Sequence, residues 1–249
     1  MRARLSAFLI VHNEERHIGD CLASIRDVAD EIVVLDDGST DRTVEIARAA
    51  GATVSHRPFD DYGHQKQAAL DLTTGEWVLS IDADERVTPE LARAIQDAIG
   101  APSASDGYWV RRDLLYLGTP LRYGGTGRDW ILRLARRSKA RFALLPVHEH
   151  LIIDGPTTRL AGTLHHIKYR RLGEHVAQMN AYTDLSAAQR AEAGKRFRAW
   201  HVLRIPWELF ARLVLRLGVL DGRAGIIWAS MGAFYSFLKV AKIWRPNDQ

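Results

Sequence analysis

Strand and helix signals alternate through about the first hundred residues, and no other feature restricts the fold as strongly. Leu5–Val11 is an almost unbroken apolar run, the mark of a strand buried on both faces. Ile18, Leu22, Ile25 and Val28 then recur at the spacing of an amphipathic helix. Glu31–Leu35 reads as a second strand, and a helix from about Arg42 to Ala50 closes at Gly51. Thr53–Ser55 is a short third strand, Gln65–Leu72 a helix that stops near Gly75, and Glu76–Ile81 a fourth strand. Thr88-Pro89-Glu90 opens a further helix to about Ile99, with proline at its first position. The rhythm predicts an α/β fold: a Rossmann-like, mostly parallel sheet with right-handed crossovers, flanked by helices.

The rhythm changes after residue 100. Gly107–Tyr116 and Trp130–Leu134 read as strands on either side of the glycine-rich stretch Tyr123–Gly127, and Asp154-Gly155-Pro156 is a turn. From Leu172 onward the pattern is helical. The expected division is an α/β domain over residues 1–170 and a helical C-terminal extension over 171–249, facing an acceptor or a membrane. Apolar residues make up 47% of the 249, enough for a full core and too many for a disordered chain. The single cysteine, Cys21, excludes an intramolecular disulfide and falls on the apolar side of its helix.

The net charge is +4, with basic residues bunched in Arg111–Arg112, Arg133–Arg141, Lys168–Arg171 and Lys195–Arg216. Such bunching suits an anionic partner: nucleotide phosphates, a phosphorylated glycolipid or a membrane surface. Nothing resembles a nucleic-acid module, so nucleic acid is not expected. The N-terminus shows no secretory signal, which implies a cytoplasmic protein. The run between Arg223 and Lys239 falls short of the roughly 20 residues of a spanning helix and reads as a buried or membrane-surface one. Trp200, Trp207, Trp228 and Trp244 among arginines suit a membrane interface.

Three polar clusters stand just past strand ends, where ligands bind in open α/β sheets. Asp82-Ala83-Asp84 follows the fourth strand, and two carboxylates one residue apart can share Mg²⁺ or Mn²⁺ with substrate phosphates. Asp36-Asp37-Gly38-Ser39-Thr40-Asp41 follows the second. Asp41 suits a helix cap, leaving Asp36 and Asp37 to accept hydrogen bonds from a base or ribose. His12-Asn13-Glu14-Glu15 follows the first; Asn13 reads as a helix cap and Glu14 as a ribose neighbour.

Val11-His12-Asn13-Glu14, Asp36–Asp41 and Asp82-Ala83-Asp84, in this order and spacing, resemble the family 2 glycosyltransferases. The resemblance implies a GT-A fold, a nucleoside-diphosphate sugar donor (UDP-sugar favoured), Mg²⁺ or Mn²⁺, and inversion at the anomeric carbon. It implies that Asp36 and Asp37 meet the nucleoside and that Asp84 ligates the metal. From the residues themselves, Asn13, Glu14, Lys66 and Asp82 are further candidates for the donor nucleotide, and Asp82 and His166 for the metal; a core histidine is the other reading of His165-His166. Trp130–Leu134, Val147-His148-Glu149, His165-His166 and Leu220-Asp221-Gly222 are similar to the lipopolysaccharide-core β-1,4-glucosyltransferase branch, which implies a glycolipid acceptor at the inner face of the cytoplasmic membrane.

Inversion by single displacement needs a general base. Many family members carry a Glu-Asp pair for this, and none occurs here. Glu149 is the first candidate, with His148 to orient it or an arginine to pair with it, and Asp129 the second. Lys66 can pair with a phosphate, or lie on a solvated helix face. A polyprenyl-phosphate glycosyltransferase is the alternative enzyme. A non-catalytic nucleotide-binding scaffold is the alternative of another class, and the intact Asp36, Asp82 and Asp84 argue against it. A nucleotidyltransferase lacks its glycine-and-basic N-terminal loop here.

Overall fold

The computed structural model describes residues 3–101, 105–126, 129–144 and 149–244. The described chain packs as two compact units: Met1–Arg112 with Asp129–His166, and Asp113–Arg128 with Ile167–Gln249. The division falls inside two strands, so residues 113–128 belong with the C-terminal helices.

In the first unit, β1 (Leu5–Val11), α1 (Ile18–Ile25), β2 (Glu31–Asp36), α2 (Thr43–Ala49), β3 (Thr53–His56), α3 (Tyr62–Asp71) and β4 (Trp77–Ser80) follow the expected rhythm. The strands order as β3-β2-β1-β4, all parallel. Next come β5 (Glu85–Val87), α4 (Pro89–Gly100), β6 (Gly107–Tyr116), β7 (Thr119–Leu121) and β8 (Asp129–Arg136). A small hairpin, β9 (Ala140–Phe142) with β10 (Leu151–Ile153), precedes the long β11 (Thr157–Tyr169). The order continues β4-β8-β6-β11-β5 through antiparallel pairs β4–β8, β6–β8 and β5–β11. The result is a mixed sheet whose N-terminal half is parallel.

Both faces of that half are covered, which is why its strands are apolar throughout rather than alternating. Leu5, Ala7, Leu9 and Val11 of β1 share one core with Ile18, Leu22 and Ile25 of α1 and with Trp77 and Leu79 of β4. Phe8 and Val78 point the other way and meet Leu70 and Phe142. The one polar residue in β1, Ser6, is fully buried, donates to Glu31 and accepts from Gly75 N at 2.7 Å. Cys21 is buried as expected; burial pushes its thiol well above the ordinary range, so it is not a reactive thiolate.

Three local expectations change. The helix placed at Gln65 starts at Tyr62, because the Asp61 carboxylate accepts from His64 N at 2.8 Å and caps it earlier. Glu85–Val87, hidden in an acidic turn, is a strand because it pairs with Leu164–His166. Asn13 does not cap α1: it sits at φ 55°, and its Oδ1 accepts from Thr40 N at 2.8 Å.

The second unit holds α5 (Leu172–Glu192), α6 (Arg204–Phe210) and α7 (Gly222–Ala241), with the β6–β7 turn. Tyr116 donates to or accepts from His175 Nδ1 at 2.8 Å, and the His175 ring stacks on Tyr169 at 4.3 Å. The Asp221 carboxylate accepts from Arg122 N at 3.0 Å and Tyr123 N at 2.8 Å, tying the glycine-rich stretch to the start of α7. Residues Gly218–Ala241 form a helix of 24 residues containing an 18-residue stretch of mean hydropathy 1.3, long and apolar enough to cross a membrane by length and composition. The expectation that this run is too short counted only the uncharged residues, and the helix runs beyond them.

Gly162 of β11 has φ 83°, and a Cβ there would stand 2.4 Å from the backbone nitrogen of Leu91 in α4. Gly162→Ala combines left-handed strain with overpacking and should cost about 2–4 kcal/mol of stability. Denaturant unfolding of the variant beside the parent chain measures it.

Candidate functional site

The Asp82–Asp84 turn links β4 to β5, and its geometry is set by ion pairs from neighbouring elements. Glu85, fully buried, accepts from Asp82 N at 3.0 Å. Arg133 arrives from β8, the neighbour of β4, and Nη2 donates to Asp82 Oδ2 at 2.6 Å and Glu85 Oε1 at 2.7 Å. Lys66 arrives from α3, its Nζ 3.1 Å from Asp82 Oδ1 and 3.0 Å from Glu149 Oε1. Burial alone would raise the Asp82 carboxyl, but Arg133 and Lys66 outweigh it and hold the carboxyl far below the usual range. Burial would likewise lower Lys66 and Arg133, and their carboxylate neighbours raise both instead. Glu85 is pushed up by burial against the pull of Arg133.

Asp84 has a different partner. Its Oδ2 lies 3.0 Å from His166 Nε2. The register explains the meeting: His166 pairs with Glu85 across β11 and β5, one residue from Asp84. Among the described residues no group of three or more His, Cys, Asp or Glu side chains forms a closed metal cage. Asp84 and His166 nevertheless fit a hard cation of the kind held by one or two protein groups and substrate phosphates. Their 3.0 Å separation matches the edge of an octahedron with metal–ligand bonds of about 2.1 Å. Asp82 has both oxygens against cationic side chains, so the two aspartates are not equivalent.

The two upstream loops are laced together. Asn13 N donates to Ser39 Oγ at 2.9 Å, and Glu14 N to Thr43 Oγ1 at 2.7 Å. Asp41 accepts from Thr43 N at 2.9 Å at the start of α2, as its capping reading required. Asp36, read as free for a ligand, is buried and accepts from Gly38 N at 2.9 Å and Ser39 N at 3.1 Å. Its carboxylate therefore shapes the turn, as aspartate side chains do beside tight turns. Asp37 pairs with His12 Nδ1. Asp37, His12 and Glu14 line a cavity of about 520 Å³ with Phe59 and Tyr62, two aromatic rings that meet edge to face at 5.0 Å. Burial, with the charges of Asp84, Asp41 and Asp82, pushes the Glu14 carboxyl up to about 7 against the opposing charge of Arg86.

A second cavity, of about 440 Å³, is lined by Lys66, Asp82, Arg112, Arg133, Glu149 and the indoles of Trp109 and Trp130, among others. Glu149 thus opens on the same space as Asp82, and the ion pair expected with an arginine is made with Lys66. His148, considered as its orienting group, lies outside the described residues. Asp129 stands apart: its side chain is 63% exposed and 3.4 Å from Arg112 Nη2. Lys66 is buried rather than on a solvated helix face.

Three residues of the site carry no sequence signal as site residues. Arg112 and Arg133 read as members of basic bunches, and Arg133 within Trp130–Leu134, without a role of their own, and Glu85 follows the acidic triplet without distinction. The one available clue was that an arginine in the middle of Ile131–Leu134 must bury its charge against a carboxylate.

A family model described as glycosyl transferase family 2 matches residues 6–148. The chain is 35% identical over 251 residues to the lipopolysaccharide core biosynthesis glycosyltransferase LpsC of Rhizobium meliloti, covering 98% of this chain and 93% of that one. It is 30% identical to an uncharacterized glycosyltransferase of Rickettsia typhi, covering 96% and 86%. Among solved structures, glucosyl-3-phosphoglycerate synthase from Mycobacterium tuberculosis is similar at a TM-score of 0.47 and 23% identity, over 69% of this chain and 74% of that one. With the strand-end clusters in place on this sheet, the chain belongs to glycosyl transferase family 2 and is a glycosyltransferase.

Proposed function

We propose that the protein is an inverting transferase that moves a sugar from a UDP-sugar onto a lipopolysaccharide-core or similar glycolipid acceptor, at the cytoplasmic face of the membrane. The observation that carries this reading is the pairing of Asp84 with His166 beside an Asp82 that Lys66 and Arg133 neutralise. The acceptor class is supported by the similarity to the rhizobial lipopolysaccharide core biosynthesis glycosyltransferase.

In this reading Asp84 and His166 hold Mg²⁺ or Mn²⁺, which would neutralise charge on the departing diphosphate. Glu14 and Asp37 meet the ribose and base in the cavity they share with Phe59 and Tyr62, whose rings offer a stacking face. Asn13 and Asp36 act on the nucleotide indirectly, by fixing the two loops. Asp82 and Lys66 face the sugar diphosphate; the Lys66 ammonium offsets its charge. Glu149 takes the proton from the acceptor hydroxyl as that oxygen bonds to the anomeric carbon and the bond to the diphosphate breaks. Asp129 is the second choice for this step.

Calorimetric titration of UDP should show binding that depends on Mn²⁺ and weakens at least about tenfold in Asp84→Ala. Full activity in Asp84→Ala would remove the metal role, and binding of GDP or dTDP in place of UDP would change the donor. Glu149→Gln should lower turnover about 10²–10⁴-fold with UDP affinity intact, whereas Asp129→Asn should stay near the parent rate; the reverse result moves the base to Asp129.

Glu14 has a sign-definite effect on stability. Its folded value, about 7, lies above the ordinary 4.5 of a glutamate, so its contribution is fully present below pH 4.5 and is lost as pH rises through about 7. In the metal-free protein, Glu14→Gln should remove a fall of about 1 kcal/mol between these limits, a figure reduced for solvent screening. Unfolding curves at a series of pH values, in the presence of chelator, test it; parallel curves for parent and variant contradict the assignment.

A further inference from the structure

The second unit exposes an apolar surface that its fold does not use. Of the 22 exposed large apolar side chains among the described residues, ten fall within residues 200–220. Leu203 is 67% exposed, Trp207 62%, Leu220 61% and Leu215 60%, with Trp200 and Phe210 in the same stretch. A water-facing segment of a soluble domain does not carry such a density of large apolar groups without a partner. The backbone is irregular as well. A short 3₁₀ turn enters α6, a π-helical turn over Ala211–Leu215 follows it, and Leu217 is left-handed at φ 56°. The segment therefore presents leucine and tryptophan side chains around a bent path rather than along one core-facing stripe.

Its charge is one-sided. Residues 193–244 hold nine Lys and Arg against two acids, Glu208 and Asp221. Both acids are engaged within the unit. Glu208 Oε2 accepts from Arg212 Nε at 3.2 Å, and Asp221 accepts the two backbone N–H groups at Arg122 and Tyr123. Arg196, Arg198, Arg216 and Arg223 are exposed around the apolar residues. Tryptophan and leucine side chains beside exposed arginines are the composition of a segment that lies in the plane of an anionic bilayer surface.

The neighbouring α7 has the length to span a bilayer but is committed elsewhere. Its small residues Ala224, Gly225, Ala229, Ala233 and Ser236 are buried along one face. A Cβ at Gly232 would meet the Arg212 guanidinium at 2.8 Å, so a charged side chain lies against the middle of the helix. Such a charge is costly at the centre of a bilayer. Lys242, just past its end, donates to Asn180 Oδ1 at 2.7 Å and pairs with Asp184 at 2.7 Å, both on α5.

We infer that residues 200–220 form an in-plane membrane-docking segment, selective for anionic lipid, inserted through Trp200, Leu203, Trp207, Phe210, Leu215 and Leu220, while α7 stays folded against α5 and α6. The occupant is a phospholipid surface with net negative charge. The inference rests on the proposed function only in placing the protein at a bilayer, and its test is independent of sugar transfer.

The full chain is floated with vesicles of phosphatidylcholine, with and without phosphatidylglycerol, at low and high salt. Binding should require phosphatidylglycerol and fall with salt. Leu203→Ser with Trp207→Ser, and separately Arg216→Gln with Arg223→Gln, should each lower the bound fraction about tenfold or more, with circular dichroism unchanged. Alkaline carbonate should release the chain from the vesicles. Equal binding to neutral vesicles overturns the inference. So does retention through carbonate, which would mean that α7 spans. Absence of vesicle binding together with a concentration-dependent dimer in sedimentation overturns it in favour of a second copy on the same surface. Titrating UDP with Mn²⁺ into the same samples separates the two readings: nucleotide binding without vesicle binding removes the docking segment alone, and the converse removes the donor site alone.

Discussion

The Arg133 guanidinium sits between Asp82 and Glu85, buried, and the turn that carries the site takes its shape from this contact. Removing a charged group from water is expensive, and a buried pair is tolerated when opposite charges and hydrogen bonds compensate it. Arg133 has two carboxylates, and Glu85 has in addition the Asp82 backbone N–H. The pairs also link elements that are remote in the chain. β8 is held to the β4–β5 turn, and through Lys66 the same turn is held to α3 and Glu149. Taking away Arg133 alone would leave buried Glu85 with Arg112, 3.6 Å away, as its remaining cationic neighbour, and breaking a buried pair in this way costs up to about 3–5 kcal/mol in proteins.

A division of labour between the two aspartates follows from that constraint. Asp82 is surrounded by cationic side chains and stays ionised at any working pH. Asp84, two residues on and past the Arg133 contact, faces a histidine. One carboxylate is thus paired with a lysine and an arginine, and the other with a histidine. Placing both aspartates on one metal, as their spacing alone suggests, would compete with two ion pairs already made.

The second unit is built on a different economy of contacts. Aromatic rings around His175 and the small-residue face of α7 form its interior, and burial together with the Lys168 charge lowers the pKa of the His175 imidazole. Its irregular segment leaves large apolar groups in water, whereas the first unit turns nearly all of its own inward. The tryptophan and arginine mixture was visible in the sequence; which side chains the fold leaves uncovered was not.

The sequence by itself determined the parallel half of the sheet, the strand ends and the clusters that follow them. These depend on local matters: apolar runs of strand length, helical spacing of Ile18, Leu22 and Ile25, proline at a helix start, and turn-forming aspartates. The same local logic mistook Asn13 for a helix cap and did not show that Asp36 also braces its own turn, because a side chain can serve its own turn or a neighbouring loop and spacing does not say which. Only the tertiary structure decided that Arg133 reaches Asp82 across 51 residues, and that His166 reaches Asp84 across 82. It also decided that Glu85 is a buried partner rather than a turn residue. Those meetings are set by the pairing of β4 with β8 and of β5 with β11, and strand register is fixed by the packing of whole faces rather than by any short stretch of chain.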